Sequence, residues 1–345
     1  MNDSDTKGSI WTVSAISATF IGTVVGAGFA SGQEIYQFFG IHGNYGWMGL
    51  ILAIIVIGIA GEKAVKIGYK FQPKSYKDFL LFILGQRLTL VVDFLLFSFF
   101  IILIGVMFAG SGAISESLHL GYWNGVIFTG LLLIIVLFFQ LPGLISANLV
   151  IVPLMFAGSI GISLYAICTC CTKVTTGPYQ SSWMISSIQF SAYNLILAIP
   201  VLLSLAKEYP YPSYLRVGSW LGSLGLGLMA GFIHWSLICY LPLLLNSPLP
   251  MIDLAKLAGN WIYILYAVVL WGEMFTTLLA NTFGATQRLV AITGWPFRTL
   301  LIIITVIGII IARIGFINLI TSFYPIFGYL CALILFLLLI KKCDF

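Results

Sequence analysis

About ten apolar stretches run through this chain, each near the twenty or so residues a helix needs to cross a bilayer. That recurrence constrains the fold more than any other feature. Inside lipid every backbone N–H and C=O must find its partner within the protein, and separate spans of this length do so as helices. The stretches are read as 11–39, 44–62, 89–113, 123–140, 144–169, 183–206, 216–240, 259–283, 297–314 and 317–340. Only 8% of the residues are charged, where a soluble domain carries about 25%, so the chain is an integral membrane protein. Its net charge of +5 is dispersed among loops and makes no stripe for nucleic acid.

The basic residues also orient the spans. With a cytoplasmic N-terminus, 13 of the 16 fall on the inner side: Lys7, Lys63, Lys66, Lys70, Lys74, Lys77, Arg87, Lys207, Arg216, Arg288, Arg298, Lys341 and Lys342. Lys173, Lys256 and Arg313 fall outside. Ten spans with both termini inside, in the plasma or inner membrane, is the expected topology. Tyr76 to Leu88, with Lys77, Asp78 and Arg87, is expected to lie along the membrane surface. Asp3 and Asp5 beside a lone Lys7 make a poor secretory leader; the alternative, cleavage among the small residues 26–31, would discard the most distinctive segment of the chain.

Spans one to five and six to ten suggest a repeat. Each half opens with a tryptophan, Trp11 and Trp183, followed by a Ser-rich apolar start. Five is odd, so the halves cross the membrane in opposite senses, the arithmetic of an inverted repeat. The expected organisation is a cytoplasmic N-terminus (1–10), a first five-helix repeat (11–169), an outer connection (170–182), a second repeat (183–340) and a cytoplasmic C-terminus (341–345).

Inside the first span lies TVVGAGFASGQEIYQ, Thr23 to Gln37. Gly26, Gly28 and Gly32 are each about 1 kcal/mol worse than Ala in a helix interior. Polar, glycine-broken backbone at membrane depth is tolerated when it is buried in protein or lines a wet cavity. Either the glycines pack against neighbouring helices, with Gln33 and Glu34 at an interface, or the helix is discontinuous and its freed backbone groups bind a solute. In an inverted repeat the sixth span should break at the matching place. It reads SSIQFSAYNLILAIPVLL, with Ser191, Tyr193 and Asn194 at mid-span and Pro200 freeing the carbonyl of Ile196. Paired interruptions of this kind point to a transporter site; an ordinary kinked helix is the alternative.

Glu34 and Glu273 are the clearest ionisable residues within the spans, and Asp93 lies near the inner edge of the third. A carboxylate in the membrane is a functional candidate because it must be paired, protonated or bound to a cation. Burial is expected to raise its pKa and let it exchange protons near neutrality. Span eight carries WGEMFTTLLANTF, in which Glu273, Thr277 and Asn281 share one helix face. Thr276 and Thr277 either bond back to their own helix or supply oxygens to a small hard cation such as Na+. Glycine pairs Gly218/Gly222 and Gly227/Gly231 have the spacing of close helix contact. Cys168, Cys170 and Cys171 crowd the end of span five with no histidine near them in sequence, which suggests a packed or interfacial thiol cluster rather than a metal site. No zinc motif, nucleophile elbow or phosphate loop is present, so no enzymatic activity is expected.

GAGFASGQE in the first span and SAYNL in the sixth resemble the YkvI-like family of inferred amino-acid permeases, a branch of the amino acid–polyamine–organocation transporters. The resemblance runs through most of the chain. It implies the LeuT-like fold, an all-α polytopic architecture of five plus five helices with the first and sixth discontinuous. It further implies that the backbone of Gly26, Ala27 and Gly28, with Phe29 and Ser31 beside it, receives a substrate carboxylate. Ser191, Tyr193 and Asn194 then face the ammonium end, and Thr276–Thr277 resembles the hydroxyl pair that binds Na+. Gln33 and Glu34 depart from the wider superfamily pattern, so H+ coupling through Glu34 or Glu273 stands beside Na+ coupling. The expected function is cation-coupled transport of a small amino acid or related solute by alternating access. A non-transporting nutrient sensor or germinant-receptor-like protein on the same fold is the alternative, and a channel a further one.

Overall fold

A computed structural model describes residues 3–73, 76–139, 148–170, 182–209, 211–244 and 247–341. The first expected span arrives in three pieces, α1 (Asp3–Val24), α2 (Ala27–Ala30) and α3 (Gln33–Phe38). A 3-10 turn (Gly40–Tyr45) leads to α4 (Gly46–Phe71), and α5 (Tyr76–Ser117), α6 (Tyr122–Phe138) and α7 (Asn148–Thr169) complete the first half. The second half comprises α8 (Ser182–Glu208), α9 (Pro212–Cys239), the short α10 (Leu241–Leu244) and α11 (Pro250–Ala258), then α12 (Asn260–Thr293), α13 (Phe297–Ala312) and α14 (Phe316–Ile340). Among these, seven helices are long and apolar enough to span a membrane, and the apolar helices Ile10–Val24, Tyr122–Phe138 and Phe297–Ala312 are shorter. Together they account for the ten spans. Within α5, Gly85 adopts φ 74° and ψ 174°, which sets its first turns off from the membrane-crossing remainder where a surface segment was expected.

Helix partners follow the repeat. The first and second helices of one half pack on those of the other: α1 lies against α8 and α9, and so does α4. The third and fourth do likewise, with α5 against α6, α12 and α13, and α13 against α6. Small residues permit the first group its close approach. A Cβ on Gly218 would lie 2.5 Å from Ile16, one on Gly222 would lie 2.7 Å from Phe20, and one on Gly227 would overlap Ile54. Exposed Ile51, Phe94, Leu131, Leu265 and Phe336 face outward, as suits a chain whose solvent is lipid.

The sixth span departs from expectation. It is not discontinuous: α8 runs unbroken from Ser182 to Glu208, with Pro200 inside it. Two of the polar residues that suggested a break, Ser191 and Asn194, bond back to their own helix, and the third, Tyr193, reaches across to Glu34. Ser191 Oγ donates to the Ser187 carbonyl at 2.7 Å, and Asn194 Nδ2 to that of Phe190 at 3.0 Å. Ser204 Oγ donates to the carbonyl of Pro200 at 3.0 Å in the next turn. A hydroxyl or amide satisfied in this way leaves the main-chain ladder intact. Only the first helix of the pair comes apart.

Of the thiol cluster, Cys168 is exposed and Cys170 half-buried, its sulfur 3.8 Å from the Cys239 carbonyl oxygen; Cys171 lies outside the described residues. The outer connection 171–181, Lys74, Lys173 and the terminal residues 342–345 also lie outside them.

Candidate functional site

The first interruption falls at Val25–Gly26. Val25 still donates to the Ile21 carbonyl at 2.8 Å, and Ala30 donates back to Gly26 at 2.9 Å, which starts α2. Between them the ladder lapses: among the described residues no backbone acceptor takes the Gly26 N–H and no backbone donor reaches the Val25 carbonyl. A Cβ built on Gly26 would meet no atom within 4 Å, so the gap opens on unfilled space. The freed amide and carbonyl are the two ends of one trans peptide group and point in opposite directions, so each can meet a ligand on its own side of the break.

The second interruption falls at Ser31–Gly32. Gly32 takes φ 80°, a left-handed conformation that costs little without a side chain. Ser31 Oγ donates to the Gly28 carbonyl at 2.9 Å and accepts from the Gln33 N–H at 3.3 Å, so one hydroxyl spans the corner. This corner turns α3 back toward α8 and delivers Glu34 into the interior, where it is 5% exposed. The hydroxyl of Tyr193 on α8 donates to a carboxylate oxygen of Glu34. On its other side the carboxylate lies against Gly28, where a Cβ would come within 2.7 Å of Glu34 Cδ. Aromatic rings close around the pair. Phe38 stands 5.6 Å and Tyr324 of α14 5.3 Å from the Tyr193 ring, while Phe190 lies 6.2 Å from Phe29. Gln33 is 2% exposed, and its Oε1 has no hydrogen-bond partner among the described residues.

Two lateral ties hold the broken helix in place. The hydroxyl of Tyr266, on α12, donates to the carbonyl of Ala30 at 2.6 Å and meets Ser159 Oγ at 2.9 Å. The N–H of Met251, on α11, donates to the carbonyl of Ser31 at 3.0 Å. Neither Tyr266, Tyr324 nor Met251 stood out in the sequence, since each is a single residue in an apolar or loop context.

The residues of α12 form a separate group. Glu273 is 3% exposed, and its Oε2 has no partner among the described residues. Thr276 Oγ1 donates to the Glu273 carbonyl at 3.1 Å, the back-bond anticipated as the plainer alternative for this pair. Such a bond uses the hydroxyl proton and leaves oxygen lone pairs available. Thr277 is half-buried. Asn281 lines a recess of about 300 Å3 with Phe97, Phe100 and Arg288, and Arg288 Nη2 lies 2.6 Å from Asp93 Oδ2. Thus Gly28, Phe29, Ser31, Glu34 and Tyr193 come together. Ser191 instead bonds Ser187 and, at 3.3 Å, the Ala53 carbonyl of α4, and no hydrogen bond among the described residues joins Glu273 to Glu34.

Ten spans, halves whose corresponding helices pack in matching pairs, and a first helix that comes apart in mid-span beside a buried carboxylate define a polytopic membrane protein of LeuT-like fold. No family model matches the chain. It is similar along nearly its whole length to the uncharacterized membrane protein YkvI of Bacillus subtilis (strain 168), with 28% identity across 98% of this chain and 97% of the relative. The uncharacterized protein YyaD of the same organism is 25% identical across 93% of this chain and 94% of its own length. Among solved structures, the inward-facing conformation of Mhp1 superposes with a TM-score of 0.65 at 12% identity, over 94% of this chain and 75% of that one. MhsT in complex with L-phenylalanine gives 0.61 at 14% identity, over 93% and 87%. A manganese transporter of Eremococcus coleocola gives 0.53 at 12% identity, over 98% and 87%. At such identities it is the fold that is shared. The resemblance to YkvI carried by GAGFASGQE and SAYNL thus extends along the chain.

Proposed function

We propose that this protein is a cation-coupled secondary transporter of a small amino acid or related solute. The observation that carries the reading is the interruption at Val25–Gly26, which frees an amide and a carbonyl two residues before Gly28, against which the buried carboxylate of Glu34 lies. Broken helices that expose such groups at mid-membrane are how transporters of this architecture bind charged solutes. The solved structures of similar fold include MhsT in complex with L-phenylalanine, which supports a solute of amino-acid size for this chain. The cargo site comprises the backbone of Gly26, Ala27 and Gly28 with Phe29, Glu34 and Tyr193. Alternating access then comes from rocking of α1, α4, α8 and α9 against α5, α6, α12 and α13. Coupling by Na+ uses Thr276 and Thr277; coupling by H+ uses Glu34 or Glu273. The two repeats span 11–169 and 183–340, with both termini on the cytoplasmic side of the plasma or inner membrane, as the distribution of basic residues favours.

Reconstitution into proteoliposomes tests the reading. Labelled small amino acids should accumulate against their gradient when an inward Na+ or H+ gradient is imposed, and uptake should saturate. A second reading, a nutrient sensor or germinant-receptor-like protein, draws on the tight filling of the centre. The gap lined by Val24, Phe29, Leu50, Ala53 and Phe190 has about 10 Å3 of space, close to the room one water needs. A sensor binds ligand and accumulates none.

A further inference from the structure

We propose that the group this site recognises is an ammonium, and that the carboxylate the ammonium pairs with belongs to the protein, so that the favoured cargo is a small organic amine. The inference rests on the cargo site proposed above and names the class of ligand it takes. Glu34 carries it. Its carboxylate lies against Gly28, on the stretch of backbone where the carboxylate of a zwitterionic substrate was expected to sit. The place is therefore taken by a tethered carboxylate six residues further along the same chain. A second carboxylate brought there by a zwitterion would meet a like charge in a dry site, where repulsion is strongest.

Among the described residues Glu34 has no cation of its own. The ion pairs among the described residues are Glu62 with Lys66 and Arg216, Asp253 with Lys256, and Asp93 with Arg288. None includes Glu34, whose hydrogen-bond partner there is the Tyr193 hydroxyl. A buried carboxylate without a cation is costly, and a cationic ligand relieves that cost. Its surroundings suit the rest of such a ligand. Phe38, Phe190 and Tyr324 bracket Tyr193, with centroids 5.6, 5.8 and 5.3 Å from its ring. Aromatic faces attract ammonium groups through the ring quadrupole and accept the attached alkyl carbons equally well. The freed Val25 carbonyl adds a further acceptor at the break. Donors are present as well, in the amides at the start of α2 and the Tyr193 hydroxyl, but the acid group among them is the Glu34 carboxylate, which draws a cation.

The test compares matched probes on the purified full-length protein: L-alanine, L-alaninamide and ethylamine, and L-phenylalanine, L-phenylalaninamide and phenethylamine. Thermal shift and proteoliposome uptake are measured for each. The amides and amines should stabilise the protein at least as strongly as the zwitterions, and Glu34→Gln should weaken amine binding at least tenfold. Tyr193→Phe removes the hydroxyl that competes for Glu34 and should tighten amine binding several-fold, which keeps the proposal testable if Glu34→Gln fails to fold. Stabilisation by the zwitterions alone, or amine binding unchanged in Glu34→Gln, overturns the proposal while leaving transport standing. Amine binding without accumulation supports the ligand class and removes the transport reading instead.

Discussion

The backbone N–H of Met251, at the start of α11, donates to the carbonyl of Ser31 at 3.0 Å, so a helix between the seventh and eighth spans is fastened to the corner of the broken first helix. Beneath it, Gly32 holds φ 80°, and a Cβ there would lie 2.9 Å from Met251 Cγ. Substitution at Gly32 therefore strains the corner and displaces the helix resting on it. Gly32→Ala should cost about 1–2 kcal/mol from the left-handed backbone alone. The expected outcome is a lower Tm and faster labelling of Met251→Cys by an impermeant thiol reagent in a background without other cysteines. Unchanged labelling would mean that this contact does not govern access.

Gly28 gives a second outcome at the centre of the site. A Cβ there runs into the Glu34 carboxyl group, and a leucine would occupy the volume where Glu34 now lies. Gly28→Leu should cut uptake at least tenfold while the protein still inserts and solubilises as wild type does. Normal uptake by that variant would place the cargo elsewhere.

Asp93 and Arg288 tie α5 to α12, with Nη2 and Oδ2 2.6 Å apart, and the Arg288 guanidinium also lies 4.7 Å from the centre of the Phe97 ring. The pair is partly open, so the charge interaction alone is worth about 1 kcal/mol or less. The ring contact adds about 0.5–1 kcal/mol to the arginine side only. Arg288→Ala should thus lower stability more than Asp93→Ala does, and the double variant should lose less than the two together. Chemical unfolding in detergent measures all three; an additive pair would show that the two side chains do not interact.

The legibility of this fold in the sequence was uneven, for physical reasons. The spans were visible because lipid demands long apolar runs, and their number followed from counting them. The break in helix one was visible because Gly26, Gly28 and Gly32 cluster with Gln33 and Glu34, a combination that neither helix propensity nor lipid favours. The expected break in α8 failed because side-chain polarity alone does not say where a hydroxyl sends its proton. Ser191 and Asn194 send theirs to the preceding turn. Tyr324 and Tyr266 were illegible as site residues: a lone tyrosine in an apolar span carries no signal until the tertiary fold brings it to Tyr193 or to the Ala30 carbonyl. α11 carries no signal of a span, because nine residues are too few to cross a bilayer.

Glu273 sets stability against function in a way that a single substitution can read. Its Oε2 is buried without a partner among the described residues, an arrangement that costs about 1–3 kcal/mol for a polar group and more if the group is charged. Thr276 donates its proton to the Glu273 carbonyl and so keeps its oxygen lone pairs for another ligand. If this turn of α12 serves only packing, replacing the carboxylate by an apolar side chain of similar size relieves the cost at no functional loss. If it binds the coupling cation, the same replacement stabilises the protein and removes coupling. We expect the second outcome: Glu273→Leu should raise the Tm measured without Na+, abolish the additional stabilisation that Na+ or low pH confers, and reduce gradient-driven uptake at least tenfold. Thr276→Ala combined with Thr277→Ala should raise the Na+ concentration for half-maximal uptake while leaving the Tm without Na+ within a few degrees of wild type. A Glu273→Leu protein that is more stable and still concentrates its cargo on an ion gradient would remove this turn from the coupling mechanism and leave Glu34 to carry it.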